Sequence, residues 1–373
     1  MATPSTCIII LMLVSLVFLG ITTNVGTHKL SPVDQEAHAL LSISQQLWSN
    51  QHHNNVSNRC NWPGINCNKA GSITELSPPT PCNDTVEFMK LNFSVFRNLV
   101  HLDLSEMGLF EFPELSGLKK LQHLNLSYNN FEGEVPFTLL ANLTQLVVLD
   151  ISNNYISGPI PHELSKLERL VTLDMSSNSF SGSIPLIFGQ MSSLTHMNLS
   201  NNRLVGKVPS TLANLTHLLV LDLSQNKISG FIPHEIGKLT NLLALDLSTN
   251  SLSGQIPEQI GYLNHLTSLH LDSNLINGSI PSNIGLLTRL EVLTIGYNKI
   301  HGCIPREIEL LFHLKVLDLS FNAISGVIPS AIFIYSSYVD FSNNKNTPGK
   351  PIRLKVNGPK ATQGPLFKSV FPS

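Results

Sequence analysis

LLVLDLSQN at residues 218–226 and LLALDLSTN at residues 242–250 are one phrase written twice, 24 residues apart. The phrase, Leu-x-x-Leu-x-Leu-x-x-Asn, continues in both directions. Upstream it reads LVVLDISNN from Leu146, LVTLDMSSN from Leu170 and LTHMNLSNN from Leu194; downstream LTSLHLDSN from Leu266, LEVLTIGYN from Leu290 and LKVLDLSFN from Leu314. Its asparagines, Asn154, Asn178, Asn202, Asn226, Asn250, Asn274, Asn298 and Asn322, follow at intervals of 24, with Asn129 leading by 25. A fixed period without slippage marks a solenoid, in which each coil packs only on its neighbours and neither end can be left bare. Within the phrase, strand alternation points Leu221 and Leu223 inward and Asp222 outward, and strands of successive coils pair in parallel. The repeat asparagines are expected to turn their amides inward, where donors and acceptor satisfy the backbone of the turn and of the next coil.

After each Asn comes Gly-x-Ile-Pro or a near variant, as at residues 182–185, 230–233, 254–257, 278–281, 302–305 and 326–329. Gly permits a backbone conformation closed to other residues, Ile enters the core, and Pro fixes φ as the chain turns onto the outer face. This combination resembles the plant-specific class of leucine-rich repeats, over residues 99–329. The resemblance implies an α/β solenoid: a right-handed leucine-rich-repeat superhelix with a parallel concave sheet and about ten coils of 24 residues.

The flanks divide the rest of the chain. Residues 7–21, CIIILMLVSLVFLGI, are an apolar run of signal-peptide length, so residues 1–27 are expected to be a cleaved secretory signal and what remains to lack a membrane span. Residues 28–76 form a cap, with Ala37, Leu40, Leu41 and Trp48 at helical spacing, followed by CNWPGINC at residues 60–67. That run looks like the paired-cysteine cap of plant receptor-like kinases, which implies a Cys60–Cys67 disulfide in an oxidising compartment. Residues 77–98, with Pro78, Pro79 and Pro81, read as an irregular first coil, and 99–344 as the repeats, the first with Met107 in place of the ladder Asn. Residues 345–373 carry six Lys and Arg and no acidic residue among five prolines, the composition of a disordered basic tail. Cys82 and Cys303 have no local partner in sequence.

Charged residues make up only 13% of the chain and the net charge is −2, so no basic stripe for nucleic acid exists. Eight Asn-x-Ser/Thr sequons, at Asn55, Asn83, Asn92, Asn125, Asn142, Asn198, Asn214 and Asn277, agree with passage through the secretory pathway. The outward lane between the core leucines reads Asp103, Asn125, Asp150, Asp174, Asn198, Asp222, Asp246, His270, Thr294, Asp318. Its carboxylates invite a glycosidase comparison, but a row along a flat sheet has no pocket to desolvate one member, so a solvated lane is expected. His101, His123 and His196 share a second lane without convergent metal ligands, and His162 and His234 start His-Glu pairs without a second His. No catalytic residue, metal site or cofactor is assigned, and the chain is not expected to be an enzyme.

The resemblance implies an extracellular recognition module, in the apoplast or at the outer face of the plasma membrane, that binds a peptide or protein ligand, or another repeat receptor, without a catalytic domain of its own. The alternative is a secreted inhibitor of a cell-wall-degrading enzyme, similar to polygalacturonase-inhibiting proteins. Exposed aromatics beside paired charges are the make-up of interface hot spots. Binding is therefore assigned to Asp222, Asp246, His270, Glu291, Thr294, Tyr297, Lys315, Asp318 and Phe321, with sequon glycans at Asn125 and Asn198 obstructing the earlier coils.

Overall fold

In the computed structural model, residues 30–41, 56–79, 91–345 and 353–355 are described. The signal segment, Trp48, Cys82, Asn55 and Asn83 lie outside them. A 14-stranded sheet runs the length of the molecule. Its strands are β1 (Ile65–Cys67), β2 (Ile73–Leu76), β3 (His101–Asp103), β4 (His123–Asn125), β5 (Val148–Asp150), β6 (Thr172–Asp174) and β7 (His196–Asn198). Next come β8 (Val220–Asp222), β9 (Ala244–Asp246), β10 (Ser268–His270), β11 (Val292–Thr294), β12 (Val316–Asp318), β13 (Tyr338–Asp340) and β14 (Arg353–Lys355). From β2 to β13 every pairing is parallel and in unbroken register, Leu221 facing Leu245 and Asp222 facing Asp246. Equivalent residues therefore form straight lanes across the sheet.

Seven coils, with turns from His162–Lys166 to Arg306–Leu310, return along the opposite side through a single 3-10 turn, such as Glu258–Tyr262, entered at the proline of the Gly-x-Ile-Pro phrase or its variant. The coils on either side use a short α-helical turn, Phe137–Leu140 and Ile332–Tyr335. The turns pack so closely that a Cβ on Gly261 would sit 2.4 Å from the carbonyl oxygen of Asn283 in the next coil. Between sheet and turns runs one continuous apolar core, with Leu221, Leu223, Leu239 and Leu242 of one coil fully buried.

The asparagine ladder has the form that its chemistry requires. Asn226 donates from Nδ2 to the carbonyls of Leu199 (2.9 Å), Leu223 (3.2 Å) and Ser224 (3.0 Å), and its Oδ1 accepts from the amide of Leu204 (3.0 Å). Asn129, Asn154, Asn178, Asn202, Asn250, Asn274, Asn298 and Asn322 repeat the pattern, each reaching one coil back. Just before each ladder Asn the backbone turns left-handed, with φ of 52° at Gln225 and Tyr297 and 51° at Phe321. An L-residue pays for that conformation, and interior amide bonds such as Gln225 N–H to the Ser248 carbonyl (3.0 Å) offset it. Met107 occupies the first ladder position, buried but without an amide.

Both ends differ in detail from expectation. The disulfide Cys60–Cys67 is formed. Helix α1 (Pro32–Leu41) buries Leu40 but leaves Leu41 exposed; the other buried residue on it is Glu36. Glu36 accepts from the Ser72 hydroxyl (2.5 Å) and the Ile73 amide (2.9 Å), which ties the helix to the start of β2. The β1–β2 hairpin is antiparallel, and β2 already pairs with β3, so the sheet starts inside the segment expected to be cap alone. At the far end β14 adds antiparallel to β13. Residues 353–355 of the tail expected to be disordered are therefore strand, because β13 would otherwise expose an unpaired edge; residues 346–352 and 356–373 lie outside the described residues.

Asn226→Ala should lower stability by about 3 kcal/mol, since it leaves several buried backbone groups short of a partner at once. Urea unfolding checks this against Lys227→Ala, an exposed neighbour; equal midpoints for the two variants would show that the ladder is not holding the coils.

Candidate functional site

Most strands end in Asp-x-Ser, and the structure shows why. The Oδ1 atom of Asp222 accepts from the amide of Ser224 (2.9 Å), and Oδ1 of Asp246 accepts from the amide (2.9 Å) and hydroxyl (2.6 Å) of Ser248. The carboxylate closes the turn into the ladder Asn, as short polar side chains do in Asx-turns. The lane is not solvated as expected: Asp150 is 6% exposed, Asp174 5% and Asp222 8%. Side chains on strands ~4.8 Å apart shield one another, and the serine row covers one side. Burial, and then the neighbouring Asp174, pushes Asp150 up to about 7; burial, and then Asp246, pushes Asp222 up to about 6. Burial likewise raises Asp174 and Asp246. These four are structural acids, so Asp222 and Asp246 do not join the exposed group to which the sequence assigned them.

Asn125 and Asn198 keep the turn with an amide oxygen in place of the carboxylate, and two coils break it. On β10 the carboxylate is displaced to Asp272, with His270 in the outward lane; on β11 the pair is Thr294 and Gly296. Thr294 donates its hydroxyl hydrogen to Asp272 Oδ1 (2.6 Å), and its oxygen lies 2.9 Å from His270 Nδ1. Because the single hydroxyl hydrogen is committed to the carboxylate, Nδ1 carries the imidazole hydrogen and Nε2 is left to face a ligand. Burial lowers the affinity of His270 for a second proton, against the pull of Asp272 and Asp222. Gly296 is buried where other coils carry Ser: a Cβ there would meet Asp318 Oδ1 at 3.0 Å and Ser320 Oγ at 3.1 Å, so side chains of the next coil already fill the space.

Next to Gly296 in the chain, Tyr297 stacks on Phe321, ring centroids 4.1 Å apart and 14° from parallel, with 54% and 39% of their surfaces exposed. On the other flank Lys315 pairs with Glu291 at 2.5 Å. Seven of the nine expected residues thus form one strip across β10 to β12. Asp272 and Gly296 belong to it and were missed; their departure from Asp-x-Ser was the available signal. The strip offers hydrogen bonding, stacking and ion pairing, and the Thr294 hydroxyl bridges His270 and Asp272.

Elsewhere the sheet is less open. His101 and His123 stack at 5.4 Å, and burial, then His101, lowers the proton affinity of His123. Among the described residues no three His, Cys, Asp or Glu converge on a metal site, and no helix is long and apolar enough to cross a membrane. Asn198 is 4% exposed; its Nδ2 faces Asp174 Oδ2 (3.2 Å) and its Oδ1 holds Ser200. A glycan there has no room, so the expected obstruction at Asn198 does not exist. Asn92, Asn142, Asn214 and Asn277 are exposed and Asn125 half-buried. The Cys303 thiol is free and exposed.

Comparison with known proteins agrees with this architecture. A family described as leucine-rich repeat region matches residues 203–328, and the leucine-rich repeat matches 120–143, 145–167 and 169–191. Receptor-like protein 14 of Arabidopsis thaliana is 36% identical over 31% of this chain and 12% of its own length. Receptor-like protein EIX1 of Solanum lycopersicum is 35% identical over 38% of this chain and 16% of its own. The chain thus spans less than a fifth of either relative. In solved structures, the Arabidopsis receptor kinase HAESA, in complex with the peptide hormone IDA and the co-receptor SERK1, aligns with a TM-score of 0.71. The identity is 29%, over 84% of this chain and 57% of that one.

Folded Asp150 and Asp222 hold protons that the unfolded chain gives up near pH 4, so their contribution to stability falls as pH rises from about 4 to 7. Asp150→Asn keeps an oxygen for Ser152 and removes the ionisation. Its thermal midpoint relative to the parent should therefore climb by several degrees, ~3–6 °C, between pH 5 and pH 8; a constant difference would contradict the buried-acid account. Glycopeptide mass spectrometry of secreted protein should find sugar at Asn142, Asn214 or Asn277 and none at Asn198.

Proposed function

We propose that this plant-type leucine-rich-repeat array is the ligand-recognition part of an extracellular receptor-like protein, and that it binds a peptide across β10 to β12. One observation carries the reading. The ladder asparagines are kept from Asn129 onward, whereas the departures His270, Asp272, Thr294, Gly296, Tyr297 and Phe321 gather on adjacent coils, with the two aromatics exposed, His270, Asp272 and Thr294 half-buried and Gly296 buried beneath them. A repeat array needs none of these for folding, and two exposed, stacked aromatics leave apolar surface in water. The peptide class is supported by HAESA, a structural neighbour whose structure holds a peptide hormone and a co-receptor.

The chemistry of the strip narrows the ligand. Asp318 lies against Gly296, Asp272 accepts from the Thr294 hydroxyl, and Lys315 is already paired with Glu291. An Arg or Lys side chain of the ligand fits between carboxylates and the Tyr297 and Phe321 rings, gaining charge pairing and a cation–π contact together.

The test is selection of random dodecapeptides on the immobilised full chain, followed by affinity measurement on the parent and on Tyr297→Ala combined with Phe321→Ala. Basic peptides should emerge and lose about 30-fold or more in affinity on the double variant, as expected for a hot-spot pair worth ~2 kcal/mol. Peptides that bind parent and variant equally would overturn the assignment.

A further inference from the structure

The side of the solenoid opposite the sheet carries a lane with two characters. The last residue of each 3-10 turn is Lys166, Gln190, Asn214 and Lys238 in successive coils, all polar and exposed. From the next coil onward the same position holds Tyr262, Leu286, Leu310 and Ile334, which are 53%, 52%, 47% and 72% exposed. Phe312 and Tyr335, also half exposed, meet edge to face at 5.7 Å beside the end of this stripe. Four coils in register thus replace a polar row by a continuous apolar one. Monomeric proteins seldom leave such stripes bare, and the core does not require them, since the polar coils fold with Lys or Gln at the same place.

The strand β14 shows where the following residues start. It runs antiparallel beside β13 with Lys355 opposite Tyr338, three residues beyond Tyr335. Three residues of chain cover at most about 10 Å, so the chain leaves the sheet next to the apolar end of the lane. The sequence that follows is polar over residues 357–364 and then reads PLFKSVF at residues 365–371. Leu366, Phe367, Val370 and Phe371 are its large apolar side chains.

We propose that the apolar lane is a docking surface and that its occupant is this segment of the same chain, residues 365–371, which lies outside the described residues. The lengths match. The nine residues 356–364 reach up to about 30 Å, more than the return from β14 to the lane demands, and six extended residues cover about 20 Å. The lane spans three coil steps of roughly 5 Å each. The charges lean the same way: the turns beside the lane carry Glu258, Glu307 and Glu309 against Arg306, which pairs with Glu307, whereas residues 345–373 contain Lys360 and Lys368 and no acidic side chain. Docking there covers the last coils on the side that β14 leaves open, so sheet edge and outer face are closed by one continuous stretch of chain.

The test places the photoreactive benzoylphenylalanine at Phe367 of the full chain, in an equal mixture of unlabelled and nitrogen-15-labelled protein, and maps the cross-links by mass spectrometry. Cross-links within one copy to peptides containing Leu286, Leu310 or Ile334 are expected. Leu286→Asp combined with Leu310→Asp should lower their yield about tenfold or more, the loss expected from removing a buried leucine contact. Lys238→Asp, in the polar half of the lane, should leave the yield unchanged, and unaltered circular dichroism establishes that both variants fold. Cross-links joining labelled to unlabelled copies would assign the lane to a second molecule and overturn the proposal. So would cross-links to the sheet face, or a yield indifferent to the leucine substitutions.

Discussion

A buried asparagine amide, four hydrogen bonds deep and repeated coil after coil, is the constraint on which the rest of the molecule depends. Asn226 grips two carbonyls of its own turn, a carbonyl of the preceding coil and an amide of that coil's return segment. An amide is the side chain with two donors and an acceptor at this size, and an aspartate would present only acceptors to three carbonyls. The period is therefore held by chemistry at one position, and every other position inherits a fixed place in a lane. The left-handed residue before each Asn follows from the same demand, because the backbone must reverse for the amide to point inward.

Straight lanes have an electrostatic consequence. When every strand contributes an Asp to the same lane, the carboxylates are brought side by side and shielded from water, and each is compensated through one oxygen by a serine two residues on. The result is a row of acids with elevated proton affinity that closes turns. At β10 and β11 the row is interrupted: His270, Asp272, Thr294 and Gly296 replace the closing pairs with a cross-coil network. The fold tolerates the change because the ladder, with Asn274 and Asn298 intact, still holds both coils. Structure and recognition are thus divided between two sets of positions in the same nine-residue phrase.

The period, the inward leucines, the ladder and the cap disulfide were legible in the sequence because each depends on a local pattern repeated many times. What escaped depends on arrangement between coils. The burial of Asp150, Asp222 and Asn198 comes from neighbours one coil away, which single-coil alternation does not register; the sequon at Asn198 accordingly suggested a glycan where there is no space. Glu36 is buried by partners, Ser72 and Ile73, that lie 36 and 37 residues on, which helical spacing alone does not reveal. Seven residues of the strip were found from aromatics and paired charges, whereas Asp272 and Gly296 became meaningful once the Asp-x-Ser turn had a structural explanation.

Hydrogen exchange of the full chain with and without a peptide selected on it tests the division of labour most directly. The account predicts slowed exchange in residues 268–274, 292–298 and 316–322 on binding, with no change in the buried acid row at residues 148–176. Protection centred on residues 148–176, or spread evenly over all coils, would contradict it.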